Sequence, residues 1–163
     1  MCGRFTLSSN LADLKNEFSN NLSGNFPAKY NISPAQTSAV IFFNRNQYKL
    51  LNIEWGFKTF RNGNLIINAR SETVNKKKSF QELVKFQRCI VPANSWFEWS
   101  ETKKPYLIKN KENKIISFAG LYKIEKNGEK KFIIITSEAN GSLREIHNRT
   151  PVVVKQKDFM NWL

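Results

Sequence analysis

The sequence predicts one α+β domain in which a predominantly antiparallel, barrel-like β-sheet carries a few peripheral helices. Three observations support this fold class. The chain has 163 residues, which suits a single domain large enough to bury a core. Short apolar runs separated by polar turns recur along most of its length. Helical spacing is confined to a few short stretches, so strands should supply most of the core.

The N-terminal part predicts a strand, a helix and a long loop. Residues 3–8 are expected to form the strand. The helix should begin near Leu11, with Ser9 or Asn10 as its N-cap. The stretch 19–34 is rich in Asn, Ser, Gly and Pro, which predicts an ordered loop. Loops of this length usually carry function.

The rest of the chain predicts strands interrupted by two short helices. Ser79 with Glu82, and Ser142 with Glu145, have the spacing of a capping box, so each pair is expected to begin a helix. The second of these helices should carry His147. The expected strands and apolar runs are 39–43, 48–55, 65–67, 89–92, 96–99, 106–109, 115–121, 122–125, 132–136 and 152–154, with an amphipathic piece at 159–163.

The charge balance is strongly basic. Lysine and arginine total 26 against 13 acidic residues, which gives a formal net charge of +13 and a sequence pI near 9.9. A surface of this charge favours a polyanion, and nucleic acid is the expected partner. Anionic membrane surfaces would also be attracted, and a Lys- and Asn-rich composition inherited from an AT-rich genome is the alternative explanation.

The cysteine content indicates a reducing compartment. Cys2 and Cys89 are too few for a disulfide framework. The first ten residues lack the apolar run of a signal peptide, and no stretch approaches the ~20 apolar residues that span a bilayer. We therefore expect a cytosolic, monomeric protein that is not bound to a membrane.

Cys2 is the most unusual position in the sequence. Removal of Met1 would leave an α-amine and a thiol on one residue, a 1,2-aminothiol. An α-amine, with a pKa of about 7.7–8.0, is partly neutral at cellular pH and can attack an aldehyde. The thiol can then close on the imine carbon to give a five-membered thiazolidine. An incidental small residue at position 2 is the alternative.

Four other residues could take part in chemistry. Asn68 and Arg70 stand at the end of an apolar strand, where Arg70 could clamp a phosphate or simply be a surface arginine. Glu98 lies between two aromatic residues, so its carboxyl is either buried and suited to acid–base work or on the solvated face. His147 is the single histidine and could be structural or carry protons. One His and two separated Cys do not form a metal site, and no cofactor is expected.

Taken together, segments from almost the whole chain resemble the SRAP family of SOS-response-associated peptidases, or abasic-site-processing proteins. The matching segments are MCGRF at 1–5, YNISP at 30–34, WG at 55–56, NARSET at 68–73, RCIVPA at 88–93, FEW at 97–99, FAGL at 118–121, TSEAN at 136–140 and IHNRTPV at 146–152. The order and number of these segments make a chance match implausible.

The resemblance implies a catalytic set. Cys2 would be the nucleophile that forms a covalent thiazolidine crosslink with abasic sites in single-stranded DNA. His147 would donate the proton that opens the sugar ring, while Glu98 would orient the Cys2 amine and take up its proton. Asn68 would hydrogen-bond the intermediate. An uncyclised Schiff base could eliminate the 3′ phosphate, which implies a weak lyase activity.

The resemblance also implies a DNA-binding surface and a domain extent. Residues that would hold the DNA backbone are Arg4, Arg70 and Arg149. Residues that would stack on or wedge between bases are Pro34, Trp55, Phe57 and Trp99. The domain would span 1–163, a compact form that is short at its C-terminus, in a bacterial or phage-infected cytoplasm beside the nucleoid, or in a eukaryotic nucleus.

Two other functions are compatible with the same residues. The first is a thiol peptidase that cleaves after Met1, acting on itself, with Cys2 as nucleophile and His147 or Glu98 as base. The second is a noncatalytic single-strand-binding module that relies on charge and stacking, which predicts no heat-stable adduct.

Overall fold

The computed structural model describes residues 2–44, 46–59 and 63–163, so Met1 lies outside the described residues. The strands are β1 (Phe5–Leu7), β2 (Lys29–Ile32), β3 (Thr37–Asn44), β4 (Gln47–Trp55), β5 (Phe57–Lys58), β6 (Leu65–Ile66), β7 (Asn68–Arg70), β8 (Arg88–Ala93), β9 (Ser95–Trp99), β10 (Pro105–Lys109), β11 (Ile116–Ile124), β12 (Lys130–Glu138) and β13 (Arg149–Pro151). The helices are α1 (Leu11–Glu17), α2 (Ser71–Val74), α3 (Lys78–Phe86), α4 (Gly141–Ile146) and α5 (Phe159–Trp162), the last preceded by a 3-10 turn at Gln156–Asp158. In these described ranges no helix is long and apolar enough to cross a membrane.

Five strands close into a barrel. The hydrogen-bonded order is β11, β8, β3, β4 and β12, and β12 also pairs with β11. All of these pairings are antiparallel except β4 with β12, which meet in parallel at Glu54–Lys131 and Trp55–Phe132. Each of these five strands therefore has a hydrogen-bonded neighbour on both sides, which closes the sheet on itself. The predicted α+β class with a barrel-like, mostly antiparallel sheet is confirmed.

A second sheet brings the N-terminal strand against the strand that carries Glu98. Its order is β10, β9, β1 and β2, with all neighbours antiparallel. Phe5 pairs with Trp96 in the β1–β9 contact. The hydroxyls of Thr6 and Ser95 share a buried hydrogen bond of 2.7 Å. This pairing fixes the start of the chain beside β9.

The barrel core is built around Trp55. Its side chain is completely buried. Its ring stacks on Phe132 with the ring centroids 6.1 Å apart, and it forms an edge-to-face contact with Phe5 at a centroid distance of 5.2 Å. The indole N–H donates to the carbonyl of Ile67 at 2.9 Å, which satisfies its one polar group. Burying a large apolar side chain of this kind typically contributes about 1.5–3 kcal/mol.

Gly56 turns the chain between two apolar clusters. Its φ is +118°, and a Cβ at this position would lie 2.5 Å from Cγ of Leu65. Only glycine fits such a backbone and such a close approach. The turn allows Trp55 to enter the barrel core while Phe57, 5% exposed, enters a second cluster with Leu121 and Ile133.

Several predicted elements need correction in their bounds. The predicted loop 19–34 contains β2, which pairs with β1 although its sequence has no apolar run. The two runs 115–121 and 122–125 form one strand, β11. The run 152–154 lies after β13 and includes only an isolated bridge, from Val153 to Phe118.

The helix caps agree with the sequence in one case and differ in two. Asn10 caps α1 and forms a reciprocal capping box with Asp13. Of the two predicted N-caps, Ser9 and Asn10, the structure uses Asn10. Helix α3 begins at Lys78 and α4 at Gly141, so Ser79 and Ser142 each lie one residue inside the helix, where a hydroxyl cannot cap it. Both helices exist, but the two predicted capping boxes are wrong.

Candidate active site

Cys2 lies just before β1 and is completely buried. Burial raises the pKa of its thiol far above the ordinary value, and the Glu98 carboxylate raises it further. The thiolate is the reactive form of cysteine, so the thiol is held in its unreactive, protonated form at neutral pH.

Two predicted site residues lie next to Cys2. The side-chain amide of Asn68, on β7, donates to the Cys2 carbonyl at 2.8 Å. Glu98, on β9, is 2% exposed, and its charge acts on the Cys2 thiol. Because Trp96 is also buried while Phe97 and Trp99 are more exposed, the alternation of β9 points Glu98 inward, and the solvated alternative is excluded.

Asn68 also presents an unused acceptor. Its Oδ1 is buried and accepts no hydrogen bond from the described residues. Leaving a buried acceptor unsatisfied typically costs about 1–3 kcal/mol. A donor that enters the site beside Cys2 would recover this energy.

His147 follows α4 and does not belong to it. The helix ends at Ile146, and His147 has an extended backbone with φ −154° and ψ 147°, so the prediction that the helix carries it is wrong. Its Nδ1 accepts a hydrogen bond of 2.9 Å from the backbone N–H of Arg149. A neutral imidazole that accepts at Nδ1 carries its proton on Nε2. The neutral ring is therefore oriented as an Nε2 donor.

Two surface clefts meet at His147. The first, of about 480 Å³, is lined by Arg70, Glu138, Ala139, Arg144, His147, Asn148 and Arg149. The second, of about 770 Å³, is lined by Trp99, Ser100, Glu101, Thr102, Tyr106, Arg144, Glu145, Ile146, His147 and Asn148. The clefts share Arg144, an exposed cation on α4 that sequence reasoning missed because no motif or spacing marks it.

The three predicted DNA-binding arginines differ in their exposure and in their hydrogen bonds to other protein groups. Arg70 is exposed and lines the first cleft. Arg4 is half-buried and donates to Oδ1 of Asn31 at 2.8 Å. Arg149 has a side chain only 12% exposed, and both of its terminal nitrogens are bonded to Glu72, at 2.8 and 3.1 Å. Among the three, Arg70 is the best placed to meet a phosphate.

The predicted stacking residues divide in the same way. Trp99 is 40% exposed and lines the second cleft, and Pro34 is half-buried in the turn after β2. Trp55 and Phe57 belong to the two apolar clusters and are 0% and 5% exposed, so their contact with bases stays a prediction. A ring without exposed surface cannot stack on a base unless the core opens.

Comparison with known proteins identifies the family. A family model described as SOS response associated peptidase (SRAP) matches residues 1–163. The chain belongs to the SRAP family. The resemblance carried by the sequence motifs is thereby confirmed.

This SRAP chain is similar to several proteins named abasic site processing proteins. It is 35% identical to YoqW of Bacillus subtilis strain 168, with 100% of this chain and 80% of YoqW aligned. It is 28% identical to YedK of Escherichia coli K12, over 100% of this chain and 79% of YedK. Among solved structures, a phage-related protein from Bordetella bronchiseptica superposes with a TM-score of 0.84 at 26% identity, covering 99% of this chain and 81% of the other.

The SRAP site has no clustered metal ligands in the part of the chain that the structure describes. There, no three His, Cys, Asp or Glu side chains come together in a way that could hold an ion.

Glu72 should make the stability of this SRAP domain sensitive to acid. Its hydrogen bonds with Arg149 lower the pKa of Glu72 from 4.5 to about 2, helped by backbone N–H donors. Because the folded-state pKa lies below the unfolded one, the stabilisation is complete above about pH 4.5 and is lost as the pH falls towards 2. The free energy of unfolding of Glu72→Gln should therefore fall less steeply than that of wild type in this window.

Urea unfolding at a series of pH values measures this effect. Glu82→Gln is the control, because Glu82 pairs with Lys85 on an exposed helix face. The control should keep the wild-type slope. A Glu72→Gln slope equal to the wild-type slope would show that the ion pair does not contribute to acid sensitivity.

Proposed function

We propose that this SRAP protein captures abasic sites in single-stranded DNA by a thiazolidine bond between Cys2 and the aldehyde of the damaged sugar. The observation that carries the proposal is the placement of Asn68 and Glu98 around Cys2 on strands that lead into the two clefts. Asn68 precedes Arg70 of the first cleft by two residues, and Glu98 directly precedes Trp99 of the second. DNA lying in the clefts would thus pass beside the nucleophile.

Removal of Met1 is the step that activates Cys2. The nitrogen of Cys2 is an amide while Met1 is attached, and an amide nitrogen does not attack aldehydes. Cleavage frees the amine of Cys2. The new ammonium group would also lie near the Glu98 carboxylate, which favours binding of the cation and lets Glu98 receive its proton.

The bond then forms by two additions and one loss of water. The Cys2 amine adds to C1′ of the open-chain sugar, and the carbinolamine loses water to give an imine. The thiol sulfur adds to the imine carbon, and the thiol proton ends on the nitrogen. The product is a five-membered ring with a C–S and a C–N bond, and no oxidant or reductant is consumed.

Three side chains assist these steps. His147 donates from Nε2 to the ring oxygen of the closed sugar, which exposes the aldehyde, because its Nδ1 already accepts from Arg149. Glu98 takes the proton that the amine releases. Asn68 offers its unused Oδ1 to the N–H of the carbinolamine or the product ring. An imine that fails to cyclise can eliminate the 3′ phosphate, so a weak lyase activity accompanies the main reaction.

Single-stranded DNA suits the surface around the site. The chain carries a net charge of +13, and exposed Arg70 and Arg144 line the clefts. The half-exposed ring of Trp99 offers a stacking surface in the second cleft. Charge with aromatic stacking is the usual basis of single-strand binding. The relatives' name, abasic site processing protein, agrees with an abasic site as the target.

One gel experiment tests the proposal. Protein with Met1 removed and protein with Met1 retained are each incubated with single-stranded DNA containing an abasic site and then denatured. The processed protein should give a shifted band, and the unprocessed protein should give none. No band with either would favour a noncatalytic binding module. Loss of Met1 from protein made without Met aminopeptidase, seen by mass spectrometry, would indicate self-cleavage.

Arg70→Ala should lower the salt dependence of DNA binding. Each phosphate contact to single-stranded DNA releases counterions, so losing one contact should reduce the slope of log K against log salt by about 0.7. Fluorescence anisotropy with a labelled single strand over a range of salt measures the slope. Lys85→Ala, which removes an exposed charge on α3 that lines neither cleft, is the control. An unchanged slope in Arg70→Ala would show that Arg70 does not meet a phosphate.

A further inference from the structure

Glu72 joins three elements beside the first cleft. It lies on α2, its carboxylate binds the guanidinium of Arg149 on β13, and its Oε1 accepts the backbone N–H of Glu138 on β12 at 3.1 Å. The two-point contact between Glu72 and Arg149 fixes the guanidinium plane as well as its distance. The partners are 77 residues apart in the chain.

Arg149 is held from a second side as well. Its Nη2 donates to the carbonyl of Thr136 at 2.7 Å and lies 3.2 Å from the Thr136 hydroxyl, and Thr136 is completely buried. The guanidinium therefore bridges Glu72 and the interior of β12. A side chain bonded on both sides has little freedom to move with a passing DNA strand.

The backbone of the same arginine sets the state of His147. The Arg149 N–H donates to Nδ1 of His147, and in the neutral ring this contact places the proton on Nε2. Arg149 is the first residue of β13, a strand of only three residues, and it is opposite Glu138. The N–H of Glu138 is bonded to Glu72, so Glu72 holds both strands where their pairing ends.

We infer that Glu72 and Arg149 are positioning residues that fix the tautomer and orientation of His147. The geometry gives Arg149 a role in the protein framework, and the phosphate contact that the family resemblance implied stays a separate prediction. The consequence for catalysis rests on the proposed function, in which Nε2 of His147 donates a proton to the abasic sugar. The consequence for the imidazole itself does not depend on DNA.

Nitrogen NMR can observe the tautomer of His147 directly, because the sequence contains one histidine. In protein labelled with 15N-histidine, above the pH at which the ring is charged, wild type should show an unprotonated Nδ1 and a protonated Nε2. Glu72→Gln and Arg149→Lys should move the two ring signals towards each other as the tautomers mix. Lysine keeps the charge but loses the planar two-point contact, so it separates geometry from charge.

Glu54→Gln is the matched control. Glu54 forms an ion pair of 2.7 Å with Lys131 on β12. The side chains of the two basic partners are similarly buried, since Arg149 is 12% exposed and Lys131 is 13% exposed. Losing this pair should leave the histidine spectrum unchanged. Thermal melts show whether each variant is folded. If a variant at Glu72 or Arg149 does not fold, Glu72→Asp replaces it. The wild-type spectrum is itself a test, since a proton on Nδ1 would overturn the inference.

Crosslinking rates then connect the imidazole to function. Replacing the histidine-orienting aspartate of the serine protease triad lowers kcat by about 10⁴-fold, so Glu72→Gln should crosslink at least tenfold more slowly than Glu54→Gln. A single Nε2–H tautomer in folded Glu72→Gln would refute the positioning role. If the tautomers mix in Glu72→Gln but its crosslinking rate does not change, the crosslinking rate of His147→Ala is measured. A wild-type rate in His147→Ala would reject the proposed catalytic use of His147. A reduced rate in His147→Ala would reject the effect of Glu72 on catalysis.

Discussion

Cys2→Ala is expected to abolish the adduct that survives denaturation while leaving noncovalent binding of single-stranded DNA nearly unchanged. The substitution removes the sulfur that closes the ring but keeps the α-amine, so an imine can still form and hydrolyse. Arg70, Arg144 and Trp99, which line the clefts, are untouched. The measurement is a denaturing gel of abasic DNA with the processed protein, together with a binding titration on undamaged DNA.

Borohydride separates the two functional groups of Cys2. Reduction should trap the imine of Cys2→Ala as a stable amine, so a band should appear only when borohydride is present. Cys89→Ala is the matched control, because Cys89 is also completely buried and its loss removes one sulfur from the core. It should crosslink like wild type. A stable band from Cys2→Ala without borohydride would rule out the thiazolidine.

The sequence was most informative where one local pattern determines the outcome. The alternation in β9 puts Glu98 on the same face as Trp96, although the sequence left open whether that face is buried. The cap of α1 depends on Asn10 and Asp13, which are three residues apart. Such features need no information about distant parts of the chain.

Contacts between distant segments decided what the sequence could not. β2 is a strand because β1 offers it hydrogen-bond partners, and its own residues carry no strand pattern. Trp55 has the type and neighbours of a base-stacking residue, but the parallel register with Phe132 places it in the barrel core. A motif indicates which residues are special, and the fold determines which of them reach the surface.

The site shows the same division. The family motifs pointed to Cys2, Asn68 and Glu98, and the structure brings these three together. The binding of Arg149 by Glu72 joins two motifs 77 residues apart, so neither motif alone could reveal it. The resemblance implied that Arg149 contacts a phosphate, and the sequence alone does not distinguish an exposed cation from a largely buried one that bridges two elements.

Glu98→Gln and His147→Ala are expected to slow crosslinking strongly without preventing it. Both residues move protons in the proposed mechanism, and neither supplies a bond that holds the DNA. General acid–base assistance is typically worth about 10²–10⁴-fold in rate, so initial rates should fall by this order while long incubation still yields product. The two substitutions should nevertheless differ in which substrate they affect, because the residues act at different steps.

An analogue whose aldehyde is already free separates those steps. His147 acts before the aldehyde exists, so His147→Ala should regain most of its rate on an oligonucleotide that carries an open-chain aldehyde. Glu98 acts on the Cys2 amine, so Glu98→Gln should remain slow on both substrates. Initial crosslinking rates are measured for wild type and the two variants on both oligonucleotides. The ratio of the rate on the open-chain aldehyde to the rate on the abasic site is then compared between the three proteins. Equal impairment of His147→Ala on the two substrates would remove ring opening from its role, and its place between the two clefts would then point to holding the DNA.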